Sequence, residues 1–307
     1  MGRLPCWPAL ALLCGLLGVC GGACEGAPIV FVGSGTGTPR ALPQTWQEHW
    51  FEHTQLLSLA HVDANVAVYL DADVDRAKVA PLYPFLSQMW AYTLATYGEL
   101  GPGRLYVVLH QGRYAGCHRD NHFSAMHDNR DVMDCGFASY DDLGAPTFLV
   151  EHMAANIVET TSHDHDGSPA YPLWGDSKWA EFFQYDIDRA LGRTDQADVE
   201  FAEWTSDTWV DAFPVAKCHW FRDWFHPIWR DDGGAAVMTR FFASLAASFP
   251  GDGRHYARDL NWGEFVHFMS GAAHRDLKPL ATTAFGWPPA WDAQYARARL
   301  DFPQITY

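Results

Sequence analysis

After Gly144 the chain changes character, and that change constrains its fold more than any single motif. Ahead of it, alternating and apolar runs are interleaved with one long helical pattern. Behind it, almost every segment reads at a helical period. The runs predict strands at Pro28 to Val32, Asn65 to Leu70 and Arg104 to His110. Between the last two, Ala77 to Tyr97 reads as a helix closed by Gly98 and followed by Gly101-Pro102-Gly103. A further helix is expected over 43–59. Gln111 to Leu143 is crowded with Asp, Asn, His and Gly and is expected to form a long irregular loop. Downstream, helices are expected near 145–161, 177–191, 197–211, 218–230, 234–248, 261–273 and 288–299. The reading is an α+β fold, with a small strand-and-helix lobe over 28–192 and a mainly helical lobe over 193–307. A cleft between them is the default place for a site.

The N-terminus has the layout of a signal peptide over 1–23: Arg3, the apolar run Ala9 to Val19, then the small residues Gly21-Gly22-Ala23. The expected location is therefore secreted or cell-envelope. That run is too short to span a bilayer and no later segment qualifies, so no transmembrane helix is expected. Cys24 and Cys20 are candidate lipid anchors, although simple secretion is the preferred reading. Cys117 and Cys135 bracket the polar loop, and an exported chain is expected to join them. Cys218 has no evident partner. Asp and Glu number 37 against 21 Lys and Arg, a balance that repels phosphate backbones, so nucleic acid is not expected as a partner. The 14 Trp predict either a core rich in large rings or a ring-lined cleft for a peptide or glycan.

One segment carries most of the functional signal: Phe148-Leu-Val-Glu-His152-Met-Ala-Ala-Asn156-Ile-Val-Glu159. On a helix, His152, Asn156 and Glu159 share a face. Trp174-Gly-Asp-Ser-Lys-Trp-Ala-Glu181 follows, with Glu181 placed 25 residues after Asn156. Together with the strand-helix-strand lead-in, this resembles the gluzincin group of zincin metallopeptidases. More narrowly, it is similar to a family of secreted bacterial proteins with His-Glu-x-x-His-Ile-Val-Glu followed by Trp-Gly-Asp-Ser-Lys-Trp and a Glu.

The resemblance implies a zincin-like fold and descent from zinc-dependent peptide hydrolases. It would put His152, Asn156 and Glu181 at the metal-ligand positions, with Glu159 close by. His267 or Tyr256 would then be the relic of an oxyanion-stabilising group. The motif is degenerate, however. Met153 stands where the general base belongs and cannot accept a proton, a loss of roughly 10²–10⁴ in rate. Asn156 stands where a second imidazole belongs, and a neutral amide is a poor zinc donor. The expectation is a metallopeptidase-like protein that is inactive or repurposed, with zinc as candidate cofactor. The alternative is a non-catalytic extracellular peptide- or glycan-binding protein with an acidic, Trp-rich cleft. The loop from His118 to Asp131 adds His122 and His127 as further ligand-capable groups, or is a structural loop clamped by the disulfide.

Overall fold

The computed structural model describes residues 42–176 and 178–307. The expected signal peptide, the strand Pro28 to Val32, and Cys20 and Cys24 lie outside the described residues. The chain first builds a six-stranded sheet from β1 (Thr45–Gln47), β2 (Leu56–Val62), β3 (Val66–Leu70), β4 (Leu105–Gln111), β5 (Gly116–Asp120) and β6 (Asp131–Phe137). Their spatial order is β1-β2-β3-β4-β6-β5. β3, β4 and β6 run parallel, whereas β1, β2 and β5 pair antiparallel with their neighbours. A parallel pair needs a crossover. Here α1 (Arg76–Val79) and α2 (Leu82–Tyr97) supply it between β3 and β4. Gly98 ends α2 at φ 73°, a conformation that a Cβ disfavours.

Two expectations are corrected. The helix over 43–59 does not form; its residues give β1, a connection and the start of β2. Trp46 and Trp50, four apart, imitate a helix face. In the fold, Thr45 and Gln47 pair with Ser58 and Leu56 while Trp46 turns inward. Ladder hydrogen bonds and ring burial together override local propensity. The stretch Gln111 to Leu143 is likewise no irregular loop, because it contains β5 and β6. The expected disulfide between Cys117 and Cys135 is present and ties these two strands at a directly paired position.

Successive strand residues face opposite sides, so the sheet has two unlike faces. Val66, Val68, Leu70, Val107, Leu109, Met133 and Cys135 join the main core with residues of α2 and of α3 (Gly144–Thr161). Ala67, Tyr69, Val108 and Val132 turn the other way and pack with Trp46, Trp50 and Leu57. His110 and Asp134 follow the parity of Val108 and Val132, so they belong to this second face. The connection 48–55 lies over it like a strap.

Beyond α3, helices dominate: α4 (Tyr171–Trp174), α5 (Lys178–Ala190), α6 (Thr194–Trp204), α7 (His226–Asp232), α8 (Ala236–Ser248), α9 (Trp262–Ala273), α10 (Lys278–Phe285) and α11 (Pro289–Asp301). A π-helical turn over Phe221–Phe225 leads into α7. α10 was not expected from the sequence. The rings fill the interior: Trp90, Trp179, Trp204, Trp220 and Trp224 are all fully buried. The result is a mixed α+β N-terminal region followed by a largely helical C-terminal region. Among the described residues, no helix is long and apolar enough to cross a membrane.

Candidate metal centre

The sequence pointed to His152, Asn156 and Glu159 on α3 and to Glu181 on α5, and these side chains do not converge on one point. His152 Nε2 lies 3.5 Å from Asp176, and Asn156 donates to the other oxygen of that carboxylate at 2.7 Å. Asp176 thus brings these two together. Glu159 accepts from the Trp174 indole at 2.5 Å. Burial pushes its carboxyl up to about 7 despite that hydrogen bond. Glu181 accepts from Lys178 at 3.3 Å and from Trp209 at 3.1 Å, and burial raises it to about 7 as well. His267 faces Tyr307 and the Phe302 carbonyl, each at 3.1 Å. Tyr256 stacks on His165 with ring centres 4.6 Å apart.

Among the described residues, two other groups of His, Asp or Glu bring three or more donor atoms within 4.8 Å of one another. One is Glu151, Asp188 and Glu200, all buried carboxylates. Arg193 enters this group, at 2.5 Å from Glu151 and 2.9 Å from Asp188. Burial raises all three carboxyl pKa values, so shared protons and one guanidinium account for their charge.

The other group is Glu48, His53, His110 and Asp134, on the strap face of the sheet. Its construction is different. His110, near the end of β4, places Nε2 at 2.8 Å from Glu48 Oε1 and 3.1 Å from Asp134 Oδ1. All three atoms are buried, and none has an aligned hydrogen bond. Each residue is instead held by its outer atom. His110 Nδ1 faces Asp71 at 3.0 Å, Glu48 Oε2 accepts from the Gln55 amide at 2.9 Å, and Asp134 Oδ2 accepts from the Trp50 indole at 2.7 Å. His53 Nδ1 completes the set, 3.0 Å from Asp134 Oδ2 and 3.5 Å from Glu48 Oε1.

Outer atoms anchored and inner atoms converging is the arrangement of metal ligands with their supporting shell. Two ligands bound at about 2.0–2.1 Å to a tetrahedral ion stand about 3.3 Å apart, close to the spacings seen here. Two imidazoles and two carboxylates form a donor set that can hold zinc. The electrostatics gather positive charge here, which in the absence of an ion rests on His110. Burial works against a charge on His110, yet the nearby Asp134 and Glu48 outweigh it and push the imidazole up to about 10. Asp134 is also buried, and its contacts with His110 and His53 nevertheless hold it well below the usual carboxylate range.

Of the four residues, His53 borders a cavity of about 380 Å³ that is also lined by Phe51, Glu52, Tyr114 and residues 115–118. Tyr114 stacks on His53 with ring centres 3.6 Å apart. Gly136 makes this possible. A Cβ there would come within 2.0 Å of the Tyr114 carbonyl oxygen and 2.3 Å of that of Arg113, so only glycine lets the turn lie on β6. Sequence reasoning missed Glu48, His53, His110 and Asp134, which are scattered over 87 positions with no contiguous motif. The available signal was a His and an Asp embedded in otherwise apolar strands. No protein-family model matches the chain, and no curated protein matches it.

Proposed function

We propose that this is an exported zinc-binding protein that holds an extracellular peptide beside the ion without hydrolysing it. The observation behind this reading is the convergence of three buried atoms without aligned hydrogen bonds, His110 Nε2, Glu48 Oε1 and Asp134 Oδ1. With His53 the donor set is closed and protein-supplied, the form zinc takes where it is retained rather than used to activate water. The signal-like N-terminus and the disulfide suit an oxidising, extracellular setting.

A peptide is favoured over a glycan by the place of β5. Among the described residues it is one of the two edge strands of the sheet, and it lines the cavity through Gly116, Cys117 and His118. An unpaired strand edge takes up extended chains by adding a strand, while neighbouring pockets sort the side chains.

The experiment is metal analysis of the purified, dialysed protein. One tightly held zinc is expected to survive gel filtration and to be lost in His110→Ala and in Glu48→Gln. A wild-type chain that retains no ion would overturn the reading, leaving the cluster as an imidazolium held by carboxylates. Zinc-dependent cleavage of a mixed peptide library would overturn its non-catalytic part.

A further inference from the structure

We infer that His118, on the wall of the same cavity, and the buried His127 behind it form a second metal site, suited to a borderline divalent ion such as zinc or copper(II). The inference rests on the reading above in treating this face of the sheet as metal-binding. His118 Nε2 and His127 Nε2 face each other at 3.2 Å. That spacing matches the edge of about 3.3 Å between two nitrogens bound to one tetrahedral ion.

His127 repeats the support seen at His110. Its Nδ1 lies 2.6 Å from Asp120 Oδ2, so its Nε2 is left as the lone-pair nitrogen. A carboxylate behind a ligating imidazole fixes both tautomer and ring orientation. Rings hold the pair in place: His127 packs on Trp50 with centres 4.5 Å apart, and Phe51 meets His118 edge-on at 5.0 Å. Without an ion, the approach of the two nitrogens is one N–H···N hydrogen bond from His118. Binding an ion requires only that His118 carry its proton on Nδ1 instead.

Exposure separates His118 from the buried centre, while His127 is itself buried. The His118 side chain is 27 % exposed, against 0 % for His110. His118 Nε2 is 3.7 Å from Asp134 Oδ2, the carboxylate whose other oxygen faces His110. Glu52 stands on the same cavity wall. The site therefore offers two imidazoles, with the remaining ligands left to solvent on the open, His118 side. Imidazole-rich sites of this kind favour zinc, copper and nickel over magnesium or calcium.

The test is the number of ions bound per chain after equilibrium dialysis against excess zinc, and separately against copper(II). Two ions are expected for the wild type. One is expected for His118→Gln and for His127→Ala, and one for His110→Ala. His118→Gln changes a partly exposed side chain and serves as the variant least able to disturb folding. A wild type that binds one ion, lost only in His110→Ala, overturns the second site and leaves the buried centre standing. One ion lost in His118→Gln would make His118 a ligand of the buried centre, which also overturns it. Two ions retained in both His118→Gln and His127→Ala would place the second elsewhere. No ion in any chain removes both readings.

Discussion

The two faces of the sheet hold polar groups in opposite ways. Under the helices, the residues singled out on α3 and α5 disperse: His152 and Asn156 go to Asp176, Glu159 to Trp174, and Glu181 to Lys178 and Trp209. Under the strap, residues far apart in sequence converge, and their inner atoms meet at 2.8 and 3.1 Å without the alignment of good hydrogen bonds. Two carboxylates converging on one imidazole nitrogen in a buried site need a positive charge between them, which either a proton on His110 or a bound ion supplies. Proximity in sequence marks resemblance on one face. Proximity in space marks chemistry on the other.

The comparison can be broken most forcefully through Glu159. Its folded pKa of about 7 lies above the ordinary 4.5, so between these values the folded chain holds a proton that the unfolded chain has lost. Stability from this group is therefore intact below pH 4.5 and falls as pH rises through 7, by about 3 kcal/mol in all. Urea melts from pH 4 to 8 should show Glu159→Gln without that slope; parallel curves for the two proteins would mean the carboxylate is stabilised by a cation after all. The disulfide comes next. Replacing Cys117 and Cys135 by Ala opens a loop with a sequence separation of 18 and should cost about 3 kcal/mol on the entropic model. Zinc retention in that variant would show that strap and sheet hold the centre without the clamp.

A smaller effect sharpens the strap face alone. Asp71→Asn keeps the shape but weakens the support of His110 Nδ1, and zinc affinity should fall about 10–100-fold. An unchanged affinity in competition with a chelator would remove Asp71 from the support of the site. The smallest is a control remote from both faces. Asn261 caps α9 and exchanges hydrogen bonds with Glu264 in a capping box, so Asn261→Ala should cost about 1 kcal/mol with no change in zinc content.

What could be read from sequence follows the same division. β3, β4 and α2 were legible because their apolar residues keep one period and Gly98 closes the helix. The later helices were legible for the same reason. β6 was not. Asp131, Asp134 and Gly136 interrupt its apolar run, and two of these belong to the site or to the turn beside it. β1 was not, because Trp46 and Trp50 imitate a helical spacing and only the partner strand settles the matter. Cys117 and Cys135 could be paired from their position around the polar loop, yet the strands between them could not. Residues recruited for function break the local patterns by which structure is read.

Gly136 carries a lesson about drift. It binds nothing, yet the smallest side chain at that point would push the Arg113–Tyr114 turn off the strand and lift Tyr114 away from His53. The hydrogen atom at this position is a more demanding requirement than several of the charged residues around it. A descendant could exchange one donor for another and still bind an ion. With a methyl group at position 136 it would first have to rebuild the wall of the cavity.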